Sequence, residues 1–62
     1  MNSKDKLLVT AAEASEMLGL GRTKVYELIA AGELRSVKIG RSRRVPVQAL
    51  TAFVSAMEEA AV

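Results

Sequence analysis

Apolar and polar positions along the chain change period three times, and each change marks an element. Leu7, Leu8 and Val9 form a short apolar run that stops at Thr10. Thr10 and Glu13 have the spacing of a capping box, in which the threonine hydroxyl accepts from the third helical N–H and the glutamate reaches back to the cap. The helix that follows runs through Leu18 and places Ala11, Ala14, Met17 and Leu18 on one face, at spacings of three and four. Gly19 ends it, because a residue without a Cβ enters the left-handed conformation at little cost.

A second helical pattern starts at Arg22, with Val25, Leu28 and Ile29 as its apolar face and Gly32 as its terminator. Two short helices joined by about three residues including glycine read as a helix-turn-helix, with an ordinary helical hairpin as the plainer alternative. From Ser36 the period becomes alternating: Val37 and Ile39 are expected to face the core while Ser36 and Lys38 face out. Gly40, Arg41 and Ser42 are read as a turn and residues 43–45 as the returning strand. Pro46 closes that strand and suits the first turn of a helix, where its missing N–H costs nothing. Val47, Leu50, Phe53, Val54 and Met57 then mark a third amphipathic helix, expected to fray near Ala60. The polar ends of the chain are expected to be loose.

The predicted fold class is mainly α with a small β-hairpin, a winged helix-turn-helix in one domain over residues 1–62, its ordered core at about residues 7–58. With Tyr26 and Phe53 the sole aromatics and no cysteine or histidine, the core must be aliphatic and held by packing alone. That composition also removes the commonest nucleophiles, bases and soft metal ligands, so no enzyme, cofactor or metal site is expected. No apolar run approaches the ~18 residues that span a bilayer. Residues 1–6 are polar and unlike a signal peptide, so no membrane partner and a cytoplasmic location are expected.

Charge alters this picture. Residues 22–44 hold seven of the nine basic residues against Glu27 and Glu33, a local +5, whereas the remainder of the chain sums to −3. So concentrated a basic segment is the electrostatic footprint expected of a polyanion partner, with a merely solvated basic surface as the plainer reading of charge alone. On the second helix Thr23, Glu27 and Ala30 point away from the apolar face, Tyr26 and Lys24 flank them, and Arg22 sits at the helix start. That surface is polar and basic at its N-terminal end, the end that a recognition helix presents to base edges. Arg22, Thr23, Lys24 and Tyr26 are therefore candidate recognition-helix contacts. Lys38, Arg41, Ser42, Arg43 and Arg44 are candidate wing contacts with phosphate or a narrow minor groove. The plainer alternatives are solvated charges for the cations and packing at the core edge for Tyr26. Glu27 repels phosphate and is assigned a positioning role through a neighbouring cation.

Five stretches in this order carry a resemblance: residues 8–19 (LVTAAEASEMLG), 22–26 (RTKVY), 28–34 (LIAAGEL), 37–41 (VKIGR) and 44–46 (RVP). Together they resemble the excisionase-type helix-turn-helix family, related to the winged helices of the MerR regulators. The resemblance implies that the second helix enters the major groove and that the hairpin wing meets the adjacent minor groove or backbone. Three positions depart from the family pattern: Gly21 in place of a Ser or Thr cap, Glu27 in place of a basic residue and Arg43 in place of an aromatic. Small members of the family are often excisionases, which bind and bend attachment-site DNA and help an integrase excise a phage or integrative element; others are transcriptional regulators. The resemblance thus implies double-stranded DNA and an integrase as partners, and the small size of one module argues for cooperative self-association on DNA. A protein-interaction adaptor without DNA binding is the alternative from another class.

Overall fold

The computed structural model describes residues 6–61. Its elements are β1 (Leu8–Val9), α1 (Ala11–Leu18), α2 (Arg22–Ala30), β2 (Val37–Ile39), β3 (Ser42–Pro46) and α3 (Val47–Ala60). Three helices with a small antiparallel sheet make the winged helix-turn-helix expected from the sequence. The loose polar ends fall on residues 1–5 and 62, outside the described residues.

α1 opens as its sequence dictates. The Thr10 hydroxyl accepts from the Glu13 N–H at 3.1 Å, and the Thr10 N–H donates to Glu13 Oε1 at 2.9 Å. Lys6 reaches the other carboxylate oxygen at 2.8 Å, which ties the chain before β1 to the helix start. These contacts hold the Glu13 carboxyl well below the usual carboxylate range, at about 2, the hydrogen bond from Lys6 having the largest effect and the Thr10 backbone the next. At the far end, Leu20 N–H donates to Ser15 O and Gly19 N–H to Glu16 O, the Schellman pair, with Gly19 at φ 71°. α2 ends in the same way, Glu33 N–H on Leu28 O and Gly32 N–H on Ile29 O, with Gly32 at φ 78°.

The sheet order is β1-β3-β2, with both pairings antiparallel. β1 was not predicted: residues 7–9 read only as an apolar run. Val9 pairs with Val45 and Leu8 with Pro46, and Val47 N–H donates to Leu7 O at 2.9 Å. Two residues are too few to show a period, so nothing local distinguishes this strand from a buried loop.

The core joins all the layers. Val9, Ala14, Val25, Leu28, Leu34, Val45, Ala49 and Leu50 are buried, and Ala11, Leu18, Ile29, Val47 and Phe53 pack against them. It is aliphatic, as composition required. Leu34, in the loop after α2, is among the largest fully buried side chains, and its N–H donates to Leu28 O at 3.1 Å. Ser15 is also buried, its hydroxyl satisfied by Ala12 O at 2.7 Å.

Four expectations need correction. Met17, Val54 and Met57, placed on core faces by their spacing, are 45%, 43% and 44% exposed, because the core closes on Ala14, Ala49 and Leu50 without them. The hairpin turn is shorter than predicted: Gly40 and Arg41 alone form it, Ser42 pairs with Ile39, and the returning strand extends over Ser42–Pro46. Pro46 caps α3 from outside rather than occupying its first turn. The inward phase of β2 is also reversed. Because cross-strand partners share a face, the pairs Lys38 with Arg43 and Val37 with Arg44 put Val37 and Ile39 on the side opposite Val45. Val37 is exposed and Ile39 is 59% exposed, since the hairpin projects beyond any element that would cover them.

Candidate nucleic-acid interface

α2 is fixed by its inner face and free on its outer one. Val25 and Leu28 are buried and Ile29 is half-buried, whereas Arg22, Thr23, Lys24, Tyr26 and Glu27 are all exposed. The apolar spacing of three and four therefore orients the helix so that the four predicted recognition residues are all open to solvent, three of them in the first turn and Tyr26 just beyond it. Gly21 caps the helix with extended backbone but offers no side-chain bond. Its first N–H groups are thus left open to an anion, which the helix dipole favours. Lys24 Nζ lies 3.8 Å from Glu27 Oε1, one turn apart on the open surface. An exposed pair of this kind adds little stability.

The wing distributes its cations on both faces and at the tip. Gly40, at φ 61°, is the first of the two turn residues, the sign that a type II′ hairpin asks of that position. Arg41 beside it stands exposed at the apex. Lys38 and Arg43 are directly paired across the strands on one face, and Ser42 and the half-buried Arg44 lie on the other with Val37 and Ile39. Arg43 Nη1 donates to Ser36 Oγ at 2.8 Å, and Arg44 Nη1 donates to the Arg43 carbonyl at 2.9 Å. Sequence reasoning did not find Ser36, because its bond spans seven residues and depends on the hairpin register.

The structure therefore gathers the nine candidates into two groups, one on α2 and one on the β2–β3 hairpin, linked by a loop anchored through Leu34. Among the described residues no three His, Cys, Asp or Glu side chains cluster to hold a metal ion, and no helix is long and apolar enough to cross a membrane.

Comparison with known proteins agrees with this geometry. The family model for a helix-turn-helix domain matches residues 8–57, which takes in both helices of the motif, the wing and most of α3. A probable excisionase of Saccharopolyspora erythraea is 49% identical over 51 residues, covering 82% of this chain and 52% of the relative. An excisionase of Streptomyces ambofaciens is 45% identical over 47 residues, covering 76% of each. The chain thus spans about half the length of the first relative and about three quarters of the second. No solved structure matches it. With the motif, wing and relatives in agreement, the chain belongs to the excisionase-type helix-turn-helix family.

Proposed function

We propose that this chain works as one winged-helix unit that binds and bends double-stranded DNA, without catalytic activity, and so assists an integrase in excising a phage or integrative element. On this reading α2 enters the major groove with Arg22, Thr23, Lys24 and Tyr26 toward base edges, and the wing sets Lys38, Arg41, Ser42, Arg43 and Arg44 against the neighbouring minor groove or phosphates. The observation that carries it is the pairing of a helix locked inward by Val25 and Leu28, with an exposed basic outer face, and a hairpin with cations on both faces and at its tip. The names of the two relatives support the excisionase role.

Size shapes the mechanism. One small module covers roughly 600–1,000 Å² on DNA, too little for high specificity alone. Several copies on neighbouring sites, each neutralising a few phosphates and reading a few bases, add their affinities and their bends. Glu27 limits non-specific attraction on the recognition face, since a carboxylate there repels phosphate and partly neutralises Lys24.

A mobility-shift titration on circularly permuted attachment-site probes, at several salt concentrations, tests the proposal. Discrete, salt-sensitive complexes whose mobility depends on site position are expected. Absence of binding even at low salt would remove the DNA reading, and binding without position-dependent mobility would remove the bending.

A further inference from the structure

The apolar periodicity of α1 and α3 encodes more hydrophobic surface than this fold covers. Leu50 is the last buried residue of α3 and Phe53 is half-buried, yet the stripe continues for another turn through Val54 and Met57 into solvent. Met17 and Leu20, at the end of α1 and in the turn after it, are exposed as well. These side chains are not scattered. Two depressions of about 300 and 470 Å³ adjoin across Leu18 and Val54, which line both, and together make an apolar groove surface between the outer half of α3 and the helix-turn-helix. A contiguous apolar patch of this kind on a small chain marks a binding surface, and its methionines adapt readily to a partner's shape.

Charge on the rim selects the occupant. Glu58 lines one depression and Glu33 the other. The cation in the groove is Lys24, which lies within reach of Glu27 at the border with the proposed DNA face. The carboxylates repel phosphate and anionic lipid headgroups, so neither DNA nor a membrane surface fits. A second copy docked face to face buries the same patch on both partners, which sets four carboxylates against two lysines around one apolar contact, a net like-charge approach. A copy docked head to tail would have to offer cations to these carboxylates, and seven of the nine lie in residues 22–44, the segment proposed to bind DNA. The stretch of α3 from Leu50 to Glu58 is about 12 Å long, the reach of two to three turns of a helix laid against it.

We propose that this groove docks an amphipathic helix of a second protein, one that carries apolar anchors at i, i+3 or i+4, and i+7 with lysine or arginine beside them. Met17, Leu20, Val54 and Met57 take the anchors, and Glu33 and Glu58 pair with the flanking cations. This surface borders the proposed DNA face at Lys24 and otherwise uses different residues, and its occupancy is read without DNA.

The test uses the full chain, labelled with nitrogen-15, and two synthetic helical peptides of about 14 residues. Both carry leucine anchors at helical spacing; one is flanked by lysines and the other by glutamates. Amide shifts confined to the groove residues are expected with the lysine peptide, with affinity at least about tenfold weaker for the glutamate peptide. The doubly substituted variant Val54→Ser, Met57→Ser should bind about tenfold more weakly, its helical circular dichroism and thermal midpoint serving as the fold check. Because that variant also changes α3, Glu33→Gln with Glu58→Gln provides a second measurement that leaves the apolar surface intact and should narrow the difference between the peptides. Equal binding of both peptides, shifts centred on Arg22, Thr23, Tyr26 or the wing, or no binding would overturn the proposal. So would a dimer in sedimentation that Val54→Ser, Met57→Ser abolishes, which would assign the groove to a second copy.

Discussion

Arg41→Ala is the substitution that isolates the wing's contact with DNA from its fold. Among the described residues Arg43 is tied to Ser36 and Arg44 to the Arg43 carbonyl, but Arg41, exposed in the two-residue turn, has no internal hydrogen bond or ion pair. Its removal leaves nothing in the protein unsatisfied, so stability should stay within about 0.5 kcal/mol of the parent. DNA binding should respond in a defined way. Each phosphate neutralised contributes about −0.9 to the slope of log affinity against log salt. Losing one contact therefore makes the fall in affinity between about 50 and 200 mM salt smaller by a factor of about 3.5, on every DNA sequence alike. If Lys38, Arg43 and Arg44 also touch phosphate, the wing as a whole accounts for a slope of about −3.6. Mobility-shift or fluorescence-anisotropy titrations at four or more salt concentrations, on a specific and an unrelated duplex, measure this directly. Parallel salt plots for Arg41→Ala and the parent would refute the contact, and a clear drop in thermal midpoint would show that Arg41 holds the fold instead.

The remaining predictions separate reading from positioning and test the supports of the fold. Arg22→Ala and Lys24→Ala should change relative affinities among DNA sites, because base contacts carry sequence information; unchanged preference ratios in competition titrations would count against them. Gly32→Ala should cost about 1 kcal/mol, or about 4–8 °C in thermal midpoint. Its φ of 78° is strained for any L side chain, while its Cβ would meet nothing within 4 Å, so no clash would contribute. Leu34→Ala should cost about 2–5 kcal/mol, much of the roughly 3–9 kcal/mol a 62-residue domain commands, and abolish or sharply lower the melting transition in circular dichroism. Glu13 has its carboxyl lowered to about 2 in the folded chain, so its stabilisation is complete above the ordinary value of 4.5 and is lost as pH falls from there toward 2. Denaturant titrations of Glu13→Gln should lack that part of the acid loss, and identical pH profiles for parent and variant would show that the contact with Lys6 and Thr10 is inconsequential.

What was legible in the sequence was whatever neighbours decide among themselves. The Thr10 and Glu13 capping box, the glycine stops at Gly19 and Gly32, and the inward face of α2 at Val25 and Leu28 all depend on residues within one or two turns, and all are found where expected. The outward position of Arg22, Thr23, Lys24 and Tyr26 followed from the same periodicity. What failed depends on partners distant in the chain. β1 exists because Val9 meets Val45, thirty-six residues on, and the phase of β2 is set by which residue of β3 pairs across it. A three-residue strand carries too little alternation to choose between its two faces, and the choice made from hydrophobicity put Val37 and Ile39 on the wrong one. The Arg43 bond to Ser36 was hidden for the same reason. Met17, Val54 and Met57 fit their helical faces but outrun the core, whose extent no local pattern reports.

β3 couples stability to the proposed DNA contacts more closely than separate lists of core and surface residues suggest. At one end Val45 is fully buried, paired with Val9 and packed in the same cluster as Ala14 and Leu50. Two residues away on the same face Arg43 stands in solvent, and the turn carrying Arg41 follows within one further residue of the strand's start. The direction of the wing is therefore set where β3 is clamped between β1 and the helices, not in the hairpin itself. A change at Val9 or Val45 alters the aim of the wing even when the chain remains folded, and its effect on binding should exceed its effect on the isolated hairpin pairing. Surface cations and buried valines here belong to one mechanical unit, which is why a short, exposed hairpin can present charge in a fixed direction without a core of its own.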